Sequence, residues 1–139
     1  MRAAARPRSD VTVAIAATNP ETLDGLSSYL RGVGVGVRCM RDPSECAGFA
    51  SASKTRVAVV IFPDDFRWEK VVATLADLAS LRPTVLPVLV TAYPQRFETV
   101  RAAEEVIIMP RPVWGWTILD AIRAQVARQE SIRRAKAPW

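Results

Sequence analysis

The residue types that most often carry enzymatic and metal chemistry are scarce in this chain. It has 139 residues, no histidine and two cysteines, Cys39 and Cys46. A structural zinc site needs about four cysteine or histidine ligands, and a serine-histidine-aspartate triad needs a histidine base, so both are excluded. The nucleotide-binding fingerprint G-x-G-x-x-G and the P-loop are also missing. In a reducing compartment we expect both cysteines to be small core residues rather than a disulfide.

The polar residues that could still form a site stand where apolar runs of the sequence end. Thr18 follows the first run, Asp64 and Asp65 follow a later one, Thr91 closes the next, and Arg111 follows the last. The loop around Thr18 contains no glycine, so it lacks the flexible backbone nest that binds a phosphate. These side chains can act together only if the elements that carry them end at one edge of a sheet.

Apolar runs alternate with helix-period stretches along the body of the chain. The runs predict strands at Val11–Ala16, Val35–Cys39, Val57–Phe62, Pro87–Thr91 and Val106–Met109. Helical patterns separate them, the first two opening at the N-cap candidates Asn19 and Asp42. Five strands alternating with five helices predict an α/β fold with right-handed crossovers. We expect a doubly wound, five-stranded parallel sheet of order 2-1-3-4-5, in a flavodoxin-like three-layer sandwich.

The net charge of +5 lies in the two ends of the chain. Residues 1–10 sum to +2, residues 123–139 to +4, and residues 11–122 to −1. Nucleic-acid-binding modules usually concentrate basic residues on one face of the domain, so we do not expect nucleic acid as a partner. We expect a basic tail over 1–10, one domain over 11–129, and a helix end with a basic tail over 130–139. No apolar run is long enough to span a membrane and no signal peptide is visible, so a cytoplasmic protein is expected.

The strand ends resemble those of the receiver domains of two-component response regulators, which have the CheY-like fold. The resemblance covers about Val11 to Val126. Val13–Pro20 looks like the first strand and loop of the family, and Val88–Tyr93 looks like its fourth strand, which ends in a Thr-Ala or Ser-Ala pair. Arg111 and Pro112 stand where the family keeps Lys-Pro. Order, spacing and strand-end position together carry the resemblance.

The residues that perform the family's chemistry are replaced. Receivers bind Mg²⁺ with clustered carboxylates and accept the phosphoryl group on an aspartate. Here Ala17 and Thr18 occupy the positions of the paired acids, and Ile61 occupies the position of the phosphoacceptor aspartate. The resemblance implies that Thr91 occupies the position that senses the phosphoryl group in receivers. It also implies that Arg111 occupies the position of the lysine in their Lys-Pro pair. Mg²⁺ needs at least one or two carboxylates, so the chain resembles a pseudo-receiver for which we expect no metal, no cofactor and no enzymatic activity.

Asp64 and Asp65 lie just beyond the third predicted strand. One of them is expected to cap the third helix, since aspartate is a favoured N-cap residue. A bulge that turned one of them inward is the alternative, and it would place a carboxylate in the former phosphorylation pocket. The isomer of the Arg111–Pro112 bond stays open at this point.

Three functions fit this interpretation. The first is a non-catalytic, phosphorylation-independent signalling module that binds a partner protein or a second copy of itself. The resemblance implies the face of the fourth helix, fifth strand and fifth helix, with the candidate residues Tyr93, Phe97, Arg101, Trp114, Trp116 and Arg123. The second senses a small apolar ligand in the former phosphorylation cleft of Ala17, Ile61 and Thr91. The third is a nucleic-acid-associated protein that uses its basic tails.

Overall fold

A five-stranded parallel sheet forms the centre of the computed structural model, which describes residues 11–82, 84–99 and 106–136. Its strands are β1 (Val11–Ala16), β2 (Gly36–Met40), β3 (Arg56–Ile61), β4 (Val85–Thr91) and β5 (Ile107–Pro110). They lie in the order β2-β1-β3-β4-β5, and every neighbouring pair is parallel. The predicted fold class and strand order are therefore confirmed.

Four α-helices of the described residues cover the two faces of the sheet. They are α1 (Pro20–Gly32), α2 (Pro43–Ala52), α3 (Trp68–Ala79) and α4 (Gly115–Lys136). Both predicted caps are present: Asn19 accepts a hydrogen bond from the Glu21 N–H at 2.8 Å, and Asp42 accepts one from the Ser44 N–H at 2.9 Å. A proline follows each cap, at a helical position where its missing N–H costs nothing.

The helix predicted around Phe97 is described only in part. A 3₁₀ helix spans Pro94–Phe97, and residues 98 and 99 are helical. The rest of this predicted helix falls in residues 100–105, outside the described residues, and so does the candidate interaction residue Arg101. No helix of the described ranges is long and apolar enough to cross a membrane.

The core consists of two hydrophobic layers, one on each face of the sheet. The first, with α1 and α4, contains Ile15, Leu30 and Ile122, all fully buried. The second, with α2 and α3, contains Val59 and Leu78. Successive residues of a strand point to opposite faces, so neighbouring positions in β1 and β3 enter different layers. The central strands can be apolar throughout because both faces are covered.

Candidate functional site

The carboxylate of Asp64 is the centre of a polar site at the carboxyl ends of β3 and β4. After β3 ends, the 3₁₀ turn Pro63–Asp65 directs the Asp64 side chain towards β4. Its Oδ1 accepts a hydrogen bond from the Thr91 hydroxyl at 2.6 Å, and its Oδ2 accepts one from the Ala92 N–H at 2.9 Å. The Arg111 guanidinium lies 3.6 Å from the same Oδ2. Three donor groups from two strand ends thus surround one carboxylate.

Thr91 is fully buried and orients this site. Its hydroxyl accepts a hydrogen bond from the Tyr93 N–H at 3.0 Å. The hydroxyl proton is then free to be donated to Asp64, since a threonine hydroxyl can donate one hydrogen bond while it accepts others. The site is therefore built from backbone and side-chain groups that fix one another.

Asp65 has a different partner from Asp64. Its Oδ2 accepts a hydrogen bond from the Thr18 N–H at 2.9 Å and so joins the turn after β3 to the loop after β1. The N-cap position of α3 is Arg67, and no side chain caps it. The expectation that one of these aspartates caps α3 is therefore wrong. Instead, these two carboxylates accept hydrogen bonds from backbone N–H groups that lie beyond the ends of β1 and β4.

The predicted apolar cleft of Ala17, Ile61 and Thr91 is filled by the protein itself. All three residues are fully buried, and Ala17 and Ile61 belong to opposite core layers. Phe62 is the residue that shares the layer of Ala17, and the Arg111 guanidinium lies 5.6 Å from the centre of its ring. The prediction that this cleft holds a ligand is wrong, because alternate residues of β3 point to opposite faces of the sheet.

A polar depression borders the Asp65 side of the site and contains both signs of charge. Lys70 forms an ion pair with Asp42 at 3.2 Å. Hydrogen bonds from the Ser44 N–H and hydroxyl, with the contact to Lys70, hold the pKa of Asp42 below its usual value of 3.8. Within the described ranges, no group of three or more aspartate, glutamate or cysteine side chains is arranged to hold a metal ion.

The six candidate interaction residues do not form one surface. Phe97 is 2% exposed and packs in the α2–α3 layer, with its ring centre 5.2 Å from that of Trp68. Its predicted role in an exposed surface is wrong, because the 3₁₀ turn after β4 places the ring beneath Trp68. The other members that the structure describes are exposed: Tyr93, Trp114, Trp116 and Arg123. Arg101 lies outside the described residues.

Trp114 and Trp116 form one wall of a groove whose other wall is α1. Their rings are parallel within 4°, with centres 5.0 Å apart. The groove has a volume of about 460 Å³. We call it the aromatic groove, after the four rings that line it: Tyr29, Phe62, Trp114 and Trp116. Arg111, which precedes a cis peptide bond to Pro112, also lines it and so connects the groove to the Asp64 site.

Sequence reasoning identified the tryptophans but missed the aromatic groove and the role of Asp64. Tyr29 reads as an ordinary residue of an amphipathic helix, and nothing local shows that it faces the start of α4. The aspartate pair was a visible signal, since two acids directly after a buried strand were already candidates for an inward turn. Which of the two turns inward depends on the geometry of the 3₁₀ turn.

Several known structures that resemble this one are receiver domains, although no family model matches the sequence and no curated protein matches it. A CheY-like receiver domain protein from Methanospirillum hungatei JF-1 is 18% identical with a TM-score of 0.70, over 86% of this chain and 96% of that one. The signal receiver domain of an HD domain-containing protein from Pseudomonas fluorescens Pf-5 is 17% identical with a TM-score of 0.71, over 96% and 98%. A CheY-like receiver domain from Methylobacillus flagellatus is 14% identical with a TM-score of 0.60, over 81% and 96%. At these identities the likeness shows a shared fold.

Proposed function

We propose that this chain is a non-catalytic, receiver-like signalling module that acts through protein-protein contacts and independently of phosphorylation. The observation that carries the proposal is the position of Asp64, whose carboxylate accepts from Thr91 and Ala92 and faces Arg111. By resemblance, Thr91 and Arg111 are the positions that contact the phosphoryl group in receivers. An internal carboxylate therefore engages the Thr91 hydroxyl that an external phosphoryl group would need, and it lies against the Arg111 cation.

Electrostatics opposes phosphorylation at such a site. A phosphoryl group entering it would meet the negative charge of Asp64, and like charges in contact repel each other. Phosphoryl transfer also needs cations that neutralise the charge developing on the phosphoryl oxygens. Arg111 is the cation in contact with Asp64, and the acids that would hold Mg²⁺ in a receiver are replaced by Ala17 and Thr18.

The proposal is tested by adding beryllofluoride and Mg²⁺ to the wild-type protein and recording amide NMR spectra. We expect no saturable change at Thr91, Ala92 or Arg111. The Asp64→Ala variant frees the three donors, so inorganic phosphate should produce saturable shifts at these residues in that variant and not in the wild type. Asp77→Ala removes an exposed aspartate on α3 and serves as the matched control. A saturable response of the wild type to beryllofluoride would contradict the proposal.

The protein contact is assigned to the exposed residues around the start of α4. Trp114 exposes 66% of its surface and Trp116 exposes 51%, and Arg123 is exposed on the same helix. Tryptophan and arginine are enriched among the residues that contribute most to protein-protein binding. A partner protein or a second copy of this chain would cover these side chains.

A further inference from the structure

We propose that the aromatic groove binds a planar aromatic carboxylate of small size. The ring of the ligand would lie against the indoles of Trp114 and Trp116, and its carboxylate would contact Arg111. This inference goes beyond the proposed function, since it adds a small-molecule site to a module that is proposed to act through protein contacts. Both use Trp114 and Trp116, so a bound ligand and a protein partner would compete for these side chains.

The size and the walls of the groove suit such a ligand. Small-molecule sites usually have volumes of about 300 to 1,000 Å³ and mainly apolar walls with few polar groups. The aromatic groove has about 460 Å³, and its rings come from three parts of the chain. Tyr29 belongs to α1, Phe62 follows β3, and the tryptophans lie at the start of α4. Aromatic pairs are stabilised beyond what the area that they bury contributes, which favours a planar ring over a globular hydrocarbon as the occupant.

The two tryptophans present uncovered ring surface to the groove. Within the described part of the chain, their rings stack only on each other. Trp68 is a useful comparison because it is also at the surface. Its ring contacts Phe97, with centres 5.2 Å apart, and the Arg96 guanidinium, 4.8 Å from the ring centre. The residue as a whole is 38% exposed. The greater exposure of Trp114 and Trp116 leaves an apolar patch of a kind that marks binding sites.

Close packing of α1 against α4 forms the groove before any ligand arrives. A Cβ placed on Gly115 would lie 2.8 Å from Cδ2 of Tyr29 and 3.5 Å from Cδ1 of Leu26. The two helices can therefore approach this closely only because residue 115 has no side chain. Since the walls are already in place, a ligand need not order them, and this lowers the entropic cost of binding.

Arg111 determines the charge of the ligand. Its guanidinium faces Asp64 at 3.6 Å on one side, and its side chain is 35% exposed. A guanidinium has five N–H donors in a planar fork that matches a carboxylate, so donors are left for a second anion. Glu21 also lines the groove and is its acidic member, so it should weaken the binding of an anion. The positive charge of Arg111 and the negative charge of Glu21 together favour a ligand with a single carboxylate, bound at the Arg111 end of the groove.

The test compares three probes by their effect on the indole N–H signals in NMR spectra of the full chain. The first is 2-naphthoate, which is planar and aromatic, and the second is 1-adamantanecarboxylate, a saturated acid with the same number of carbons. The third is 2-naphthamide, which lacks the charge. We expect 2-naphthoate to shift the Trp114 and Trp116 signals saturably, with a Kd of about 1 mM or lower for a ligand of this size. The other two should bind several-fold more weakly.

Variants separate stacking from charge. Trp116→Leu should weaken 2-naphthoate binding roughly two- to twelvefold, the range of an aromatic pair. Arg111→Gln should weaken the binding of 2-naphthoate but leave that of 2-naphthamide nearly unchanged, and Glu21→Gln should strengthen the binding of 2-naphthoate. Trp68→Leu, at a surface tryptophan outside the groove, should have no effect. Circular dichroism confirms that each variant is folded.

Three results would overturn the inference. They are equal binding of the saturated and aromatic acids, shifts confined to Trp68, and the lack of saturation at several times the expected Kd. The titration uses the free protein without phosphate, beryllofluoride or a protein partner. Its failure would therefore leave the proposed function standing, and a response to beryllofluoride would leave this inference standing.

Discussion

At the scale of single residues, Asp64 connects parts of the chain that are far apart in sequence. Its partners Thr91 and Ala92 lie 27 and 28 residues away. Hydrogen bonds to a charged group typically stabilise a fold by about 1.5–3 kcal/mol, and the Asp64 side chain is only 19% exposed. The residue that is proposed to exclude the phosphoryl group is thus also a link between β3 and β4.

The two cysteines should differ in reactivity. Burial, with a smaller contribution from the carboxylates of Glu45 and Asp42, raises the pKa of the Cys46 thiol to about 12. Cys39 is exposed. The thiolate is the reactive form, so at mildly alkaline pH a disulfide reagent such as Ellman's should modify one thiol quickly and the second only after unfolding. Cys39→Ser should remove the fast reaction. Two fast thiols in the native protein would contradict this assignment.

At the scale of secondary-structure elements, local signals were sufficient for most of the fold. The caps at Asn19 and Asp42 and the buried strands could be predicted because each depends on neighbouring residues. The burial of Phe97 and the inward turn of Asp64 could not, because each depends on a contact with a distant element. Phe97 lies under Trp68 of α3, and Asp64 is held by residues at the end of β4.

Gly115 offers a test of the contact between α1 and α4. Gly115→Ala places a Cβ against the Tyr29 ring, so we expect a loss of about 1–3 kcal/mol in the free energy of unfolding, together with changed Trp114 and Trp116 signals. Gly48→Ala is the matched control, since a Cβ there meets nothing within 4 Å in the interior of α2. It should stabilise the protein by roughly 0.5–1 kcal/mol, as alanine favours helix. Chemical denaturation measures both changes in the free energy of unfolding. Equal effects of the two substitutions would show that Gly115 is not closely packed against Tyr29.

At the scale of the whole molecule, an ion pair fixes the later turns of α4 to the opposite end of the sheet. Glu130 contacts Arg56, the first residue of β3, at 3.2 Å and Arg133 at 3.0 Å. Hydrogen bonds from Arg56 and then from Arg133 lower the pKa of Glu130 below its usual value of 4.5. A lowered pKa in the folded state means that this contribution to stability is full above pH 4.5 and is lost as the pH falls through the folded-state pKa.

The partner surface can be tested on the intact chain. Immobilised wild-type protein and the Trp114→Ala/Trp116→Ala double variant are exposed to extract from the native cell, and the retained protein is quantified by mass spectrometry. We expect a protein that the wild type retains and the double variant loses, because the indoles are its anchors.

Raising the salt concentration in the same experiment tests the remaining alternative, the nucleic-acid function. Nucleic acid held by the basic ends would be retained equally by both forms and released as salt is raised, since phosphate contacts exchange with counterions. That pattern, without a protein lost from the double variant, would favour the nucleic-acid function over the protein contact.

The carboxylate of Asp64 belongs to the polypeptide, whereas a phosphoryl group is added and later hydrolysed. An aspartyl phosphate decays and so gives a message a lifetime, but an amino-acid side chain persists until the protein is degraded. Under the proposed function, a module with Asp64 in this place would have no internal timer. Its output would be set by how many copies the cell makes and destroys, so synthesis and proteolysis would take over the task that a kinase and a phosphatase perform elsewhere.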